Sequence, residues 1–421
     1  MNTALLIILI LYILTQLADF ALEFLNLRYL KKHGNEIPEE FAGVVSPETM
    51  RKSTAYTFAK SKFSMINRIY TQLITLVFIF AGILNWYNNL LFGYQERMNW
   101  PFVIWGLIFV MLLSYAKTIL NTPFNYYQTF GLERRFGFNT MTTRLWFNDL
   151  VKGVLVSTVI ISILLLGAFW LIDNLRDIWW LPVWGFFFVF TFFIIYISPY
   201  VLEPLFNKFT PIDDRELAKD IIEMLKQAGI KVKGVYKMDA SRRTRHSNAY
   251  FSGLGRVKRI VIFDTLLEKL SHDELMAVLA HEAGHCRKGH VIKNLILFEI
   301  LTAIGAFIAY EVLEHTWLTQ VFGLSQDTFF AKMVLFSFVA SIVIWAMPLI
   351  FNTISRHFER QADDFAVKVL GTGKSLAAAL VKLSADNLSN IHPQKLYARF
   401  HYSHPPEVER IRRLNAAEAD K

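Results

Sequence analysis

Cysteine is nearly absent from this chain: Cys286 is the only one in 421 residues, so no intrachain disulfide can form. Charge is scarce too. Lys, Arg, Asp and Glu make up 19% of residues, against 54% hydrophobic and 15% aromatic. That balance excludes an ordinary soluble domain and suits a chain that crosses a membrane several times. No basic stripe alternates with stacking aromatics, so the net charge of +9 does not describe a nucleic-acid binder. Lys and Arg crowded into loops on one side of a membrane give the same excess. The apolar start, Thr3 to Ala18, lacks a basic leader and a small-residue cleavage site. It reads as a retained first span, not a cleaved signal. No internal repeat or low-complexity tract stands out.

What the chain does have is seven apolar stretches of about spanning length. They are Thr3–Leu25, Ile69–Leu91, Pro101–Leu120, Gly153–Ile172, Ile178–Ile197, Val291–Leu313 and Met333–Phe351. Pro348 is expected to kink or end the seventh. The loops between them alternate in charge. Arg28, Lys31, Lys32, Arg51, Lys52, Lys60 and Lys62 lie in the first, and Lys117, Arg134, Arg135, Arg144 and Lys152 in the third. The fifth loop and the tail are basic as well, while the even-numbered loops hold little more than Arg97, Arg176 and Lys332. The positive-inside rule then puts the N-terminus outside and the C-terminus in the cytoplasm. Four segments follow: spans at 1–202, a cytoplasmic domain at 203–290, spans at 291–351, and C-terminal cytoplasmic helices at 352–421.

The domain at 203–290 mixes helix and strand. Asp213 and Asp214 can cap a helix that runs to Gln227 and ends at Gly229. Ile230–Asp239 reads as a strand, and Asn248–Ser252 with Val257–Phe263 flank Gly253-Leu254-Gly255 as a hairpin. Ser271 and Glu274 form a capping box. It opens a helix with an apolar stripe of Leu275, Val278 and Leu279, and nothing but Gly289 stops this helix from running on into the sixth span. Beyond the seventh span, Asn352–Leu370, Leu376–Leu388 and Pro406–Ala416 read as helices.

The capped helix carries His281-Glu282-Ala283-Gly284-His285. Residues four apart share a helix face, so both imidazoles can reach one metal ion, and Glu282 stands about a quarter turn aside. A catalytic zinc takes three protein ligands and keeps a fourth position for water. Glu359 is the candidate third ligand. Asp363, one turn on, can accept the outer N–H of a ligand histidine and fix its tautomer. Cys286 points off the ligand face, which argues against a closed structural zinc site. In this reading zinc acidifies its water, Glu282 takes the proton, and the hydroxide attacks a peptide carbonyl. Glu282 then returns the proton to the leaving amine.

The oxyanion needs a donor, and His404 before Pro405-Pro406 is the candidate, although it can equally cap the next helix. A substrate strand can add to the edge at Asn248-Ala249-Tyr250-Phe251, with the Asn248 amide holding its backbone; an ordinary hairpin is the plainer alternative. Glu299, mid-span, must face a wet interior or another helix. Asp19 and Glu23 mark the end of the first span. Arg356 can pair with a carboxylate or stay solvated. His290 falls off the ligand face and reads as structural.

Together these residues resemble the integral-membrane zinc metallopeptidases typified by the type I CAAX prenyl endopeptidase. The pattern is HExxH at His281, ExxxD at Glu359, Asn248-Ala249 and His404-Pro405, with Phe136-Gly137-Phe138-Asn139 and Pro204-Leu205-Phe206-Asn207. The resemblance implies an α-helical polytopic membrane protein. About seven transmembrane helices surround a water-filled chamber, with a small α+β, gluzincin-like zinc-protease domain on the cytoplasmic side. It implies one Zn2+ per chain on His281, His285 and Glu359, with Glu282 as general base. Asn248, Ala249 and His404 would serve the substrate or transition state. The implied substrate is a prenylated CAAX protein or peptide that loses its last three residues. A monomer in the endoplasmic reticulum, or in a bacterial inner membrane, fits that picture. Two rival readings differ from it. A heat-shock-type quality-control protease has fewer spans, and a transporter with a structural zinc site calls for more intramembrane charge.

Overall fold

The computed structural model describes residues 2–253 and 258–419. Side-chain caps open three of the long helices among the described residues. The Asn2 side chain accepts from the Ala4 N–H at the start of α1 (Thr3–His33), and cationic Lys31, Lys32 and His33 fill its last turn. Ser46 caps α2 (Pro47–Phe80) through the Thr49 N–H. The apolar run Ile69–Leu91 reads as one span, but the chain breaks it at Gly82 and starts a second helix, α3 (Ile83–Met98). Hydropathy does not register a turn inside an apolar run. α4 (Phe102–Tyr127) contains Pro123, passes through a π-helical turn at Gln128–Glu133, and continues as α5 (Arg134–Phe136). Thr142 caps α6 (Thr143–Asn174), and α7 (Trp180–Ile197) and the short α8 (Leu202–Phe206) follow.

A small mixed sheet comes next. β1 (Phe209–Pro211) leads to α9 (Arg215–Gln227), capped by Asp214, and then to β2 (Val235–Met238), shorter than the strand expected over Ile230–Asp239. β3 (Ala249–Ser252) and β4 (Arg259–Phe263) are the expected antiparallel hairpin, pairing Ala249 with Ile262 and Ser252 with Arg259. Leu254 and Gly255 of its turn lie outside the described residues. The sheet order is β1-β2-β4-β3, with β2 and β4 parallel, so β3 is an edge strand. α10 (Asp264–Leu267) precedes α11 (His272–Arg287), which opens with both bonds of the Ser271–Glu274 capping box.

α11 does not run on into the sixth span. Gly289 has φ of +69°, a left-handed turn that glycine takes without steric cost, and α12 (His290–Leu313) starts afresh. α13 (Trp317–Phe322) and α14 (Phe329–Ile344) follow. The seventh apolar run bends by 52° between Ile344 and Met347. Pro348 does not end a helix: it sits in the first turn of α15 (Met347–Leu370), where a missing N–H costs nothing. α16 (Lys374–Asp386) and α18 (Glu407–Ala419) match expectation, whereas α17 (Lys395–His401) was not legible.

The chain is an α-helical polytopic membrane protein. Among the described residues six helices, α1, α2, α4 with its extension, α6, α7 and α12, are long and apolar enough to span a bilayer; the bent α14–α15 pair makes seven. They meet in a closed circuit, α1–α2–α3–α4–α6–α7–α12–α14 and back to α1. One end of the circuit is plugged by an apolar cluster that includes Tyr12, Leu84, Phe109, Phe169, Phe330 and Phe338. Phe330 stacks on Phe102 at 4.8 Å and meets Phe169 edge-on at 5.3 Å. The mid-span Glu299 is buried; its backbone carbonyl accepts from Trp184 Nε1 on α7, and its carboxylate accepts from Thr302 Oγ1 on its own helix at 3.4 Å. At the other end, Asp19 of α1 meets Arg68 of α2 and His401 of α17.

A second core joins the sheet to the last helices. Ile221 and Leu225 of α9, Ile260 and Ile262 of β4, Leu275 and Leu279 of α11, and Ile411 and Leu414 of α18 lie in one buried cluster. Each fully buried aliphatic side chain of this kind contributes about 1.5–3 kcal/mol. Segments far apart in sequence therefore close around α11.

A candidate metal centre between two helices

The centre is built where α11 meets α15. A Cβ on Gly284 would fall 2.8 Å from the Ala362 Cα, so only glycine allows this approach. Closeness here brings Glu359 onto the histidine face of α11. His281 and His285 Nε2 stand 3.2 Å apart. Glu359 Oε2 lies 3.4 Å from His281 Nε2, and its Oε1 lies 3.2 Å from His285 Nε2.

These spacings fit a metal ion. Tetrahedral ligands at about 2.0–2.1 Å from zinc lie about 3.3 Å from one another. Two imidazole nitrogens and a carboxylate converge at that spacing, and Glu359 Oε2 is buried without a hydrogen bond of good geometry. The carboxylates around His281 favour a cation at this point, either a proton on the ring or a metal ion that displaces it. Burial would lower the ring's pKa, but hydrogen bonds to Asp363 and Glu359 outweigh burial and raise it to about 9.

The neighbours set each ring's orientation. Asp363 Oδ1 lies 2.8 Å from His281 Nδ1, the contact expected from the ExxxD spacing. Arg410 on α18 grips the same carboxylate through Nε at 3.1 Å and Nη2 at 2.6 Å. Its Nη1 lies 3.5 Å from Glu359 Oε2. Arg410 is buried, and Asp363 raises its pKa although burial opposes this. On the other side, Gln361 Nε2 meets His357 Nε2 at 2.9 Å, so its Oε1 accepts from His290 Nε2 at 2.9 Å. These partners assign the His290 Nδ1 as an acceptor, 3.1 Å from His285 Nδ1. The His285 Nε2 lone pair is then free to face the centre. The His290 ring stacks on Phe358 at 4.1 Å.

Sequence reasoning missed Arg410 altogether and read His290 as structural. Arg410 sits beside an exposed Arg412 and a half-buried Arg413 in Glu409-Arg410-Ile411-Arg412-Arg413, and only its full burial distinguishes it. For Arg356 the structure favours neither alternative: its guanidinium donates to the backbone carbonyls of Arg399 and Tyr402. Cys286 is off the ligand face, 3.1 Å from Lys258 Nζ.

Glu282 is half-buried beside the two imidazoles, and burial pushes its carboxyl pKa up, more than His281 and His285 pull it down. His404 Nδ1 lies 2.8 Å from Glu359 Oε2, and its side chain is 58% exposed. It thus stands on the open side of the centre, immediately before α18. Asn248 is exposed at the head of edge strand β3, its Oδ1 accepting from the Ala249 N–H at 2.9 Å. Ala249 is buried, and β3 packs on α11. Among the described residues, no hydrogen bond or ion pair joins Asn248 or Ala249 to the three metal-facing side chains.

Comparisons with known proteins follow this division of the chain. Residues 26–208 match the family model described as CAAX prenyl protease N-terminal, five membrane helices, and residues 211–418 match Peptidase family M48. A CAAX prenyl protease 1 homolog of Arabidopsis thaliana is 33% identical over 384 residues, 90% of each chain. CAAX prenyl protease 1 of Saccharomyces cerevisiae is 34% identical over 426 residues, 95% of this chain and 93% of the yeast one. Among solved structures, the crystal structure of S. mikatae Ste24p superposes with a TM-score of 0.88 at 34% identity, covering 99% of both chains.

Proposed function

Because the chain belongs to the CAAX prenyl protease family of M48 peptidases, we propose that its centre is a zinc site that hydrolyses a peptide bond near the C-terminus of a prenylated substrate. The protein is a multi-pass membrane metallopeptidase. Zinc suits two imidazoles and one carboxylate from His281, His285 and Glu359, with one position open. Bound there, the ion supplies an acidified water and polarises the scissile carbonyl. Glu282 takes the water's proton and returns it to the leaving amine; a pKa raised by burial brings this carboxylate closer to the working pH. His404, on the open side, donates to the oxyanion. Asp363 holds His281 in its metal-binding tautomer.

The substrate strand adds to the β3 edge. The Asn248 amide and the Ala249 backbone then align it across the centre. Its prenyl chain stays with the membrane part, residues 1–202 and 291–351. Residues 203–290 and 352–421 form the protease unit, on the cytoplasmic side that the basic loops indicate, with the N-terminus outside. One chain supplies every group named here, so a monomer suffices. The membrane is the endoplasmic reticulum in a eukaryote and the inner membrane in a bacterium.

The spacing of three candidate ligand side chains, whose facing atoms lie 3.2–3.4 Å apart, carries this reading. Glu282→Gln tests it. The variant should keep one zinc per chain by elemental analysis while peptidase turnover falls at least about 100-fold; full turnover would remove Glu282 from the mechanism. A farnesylated C-terminal peptide should be cut with kcat/KM at least about tenfold above its unmodified twin. Equal values would reject prenyl specificity and leave the peptidase reading standing.

A further inference from the structure

A cavity of about 540 Å³ lies away from the metal centre between α2 and α4 with its π-helical extension. Phe63, Ile66, Phe124 and Tyr127 form its walls, and Tyr127 folds over Gly131, where a Cβ would meet its ring at 2.9 Å. The π turn that follows Pro123 widens the helix here. Two observations identify an occupant. The slot continues into the outward stripe of α2, where Ile66, Ile69, Leu73 and Val77 are 45–56% exposed, so its apolar end opens on lipid. Its remaining lining residues include Lys62 and Arg135 and no carboxylate. Among the described residues neither cation has an ion-pair partner; Arg135 only overlies Phe136 at 5.6 Å.

We propose that this slot binds one anionic phospholipid of the surrounding bilayer, its phosphate between Lys62 and Arg135 and an acyl chain along Phe63, Ile66 and Phe124. An apolar groove that opens into hydrocarbon and ends in two unpaired cations matches that amphiphile at both ends. A zwitterionic phospholipid brings a phosphate already balanced by its own ammonium and leaves the charge of the two cations unrelieved, whereas an anionic one offsets part of it. The site does not depend on the peptidase reading.

The test is lipid retention by the full-length protein in nanodiscs of phosphatidylcholine with about 30% phosphatidylglycerol, exchanged into neutral detergent and weighed by native mass spectrometry. The wild type should hold one phosphatidylglycerol in preference to phosphatidylcholine. Lys62→Gln with Arg135→Gln should lower that preference about tenfold, and Lys62→Arg with Arg135→Lys should restore it. Ala59→Trp, which fills the slot, should release the lipid of either class. Arg51→Gln with Lys52→Gln removes equal charge from the first turns of α2, outside the slot, and should change nothing. Equal retention by wild type and the double Gln variant overturns the proposal. So does equal loss in the Arg51/Lys52 control, which would mean a diffuse surface attraction, or displacement of the bound lipid by a farnesylated peptide, which would give the slot to substrate.

Discussion

His281 Nδ1 lies 2.8 Å from Asp363 Oδ1 while its Nε2 faces Glu359 at 3.4 Å. One ring thus joins a buried carboxylate to the metal centre. Asp363→Asn keeps the shape and removes the charge. Metal affinity should fall about 10–100-fold, measured by competition with a chelator, and excess zinc should restore turnover. Unchanged affinity would make the contact incidental.

Arg410 and Asp363 form a buried, bidentate pair. Arg410→Met leaves that carboxylate uncompensated and should cost about 3 kcal/mol of stability. Adding Asp363→Asn should recover part of the loss, so the double variant costs less than the two singles added. Strict additivity in thermal unfolding would show that the two groups do not interact.

His290→Phe keeps a ring on Phe358 and removes the bond to His285. Metal affinity should drop about tenfold, with little change in unfolding temperature. A loss of stability without a loss of affinity would assign His290 to packing alone.

Gly284→Ala forces a methyl against the Ala362 backbone. Overpacking should cost about 1–3 kcal/mol and move α15 away from α11. Metal content should fall with stability, read by elemental analysis and thermal unfolding of the same sample. A variant as stable and as metal-rich as the wild type would contradict the close approach.

Glu274 carries a pH signature. Burial would raise its pKa, but the Lys382 ammonium at 2.7 Å and the Ser271 N–H hold it below the usual carboxylate range. A depressed folded pKa stabilises the protein above the unfolded value, and the gain is lost as pH falls through the folded value. Glu274→Gln should therefore destabilise by about 1 kcal/mol at neutral pH and by progressively less as pH falls through the folded value. A pH-independent difference would remove the charge from the account.

Much of the metal centre was legible because helical spacing is local. Four residues separate His281 from His285 and Glu359 from Asp363, and a capping box marks where α11 starts. Arg410 lies 47 residues beyond Asp363 on a separate helix, and no periodicity reports which of several neighbouring arginines turns inward. The spans were legible by composition, their ends less so. Gly82 and Gly289 each interrupt an apolar or helical run through backbone conformation, which a count of hydrophobic residues does not register. Pro348 was expected to kink or end its run: the run does bend, by 52°, and the proline opens the helix beyond the bend, a position in the helix that its place in the run does not reveal.

Gly289 ends the helix that carries both imidazole ligands, yet the next residue, His290, already touches His285. The first residue of the sixth span is thus also a direct neighbour of the candidate metal centre, so the membrane part and the protease part meet here through a single imidazole pair.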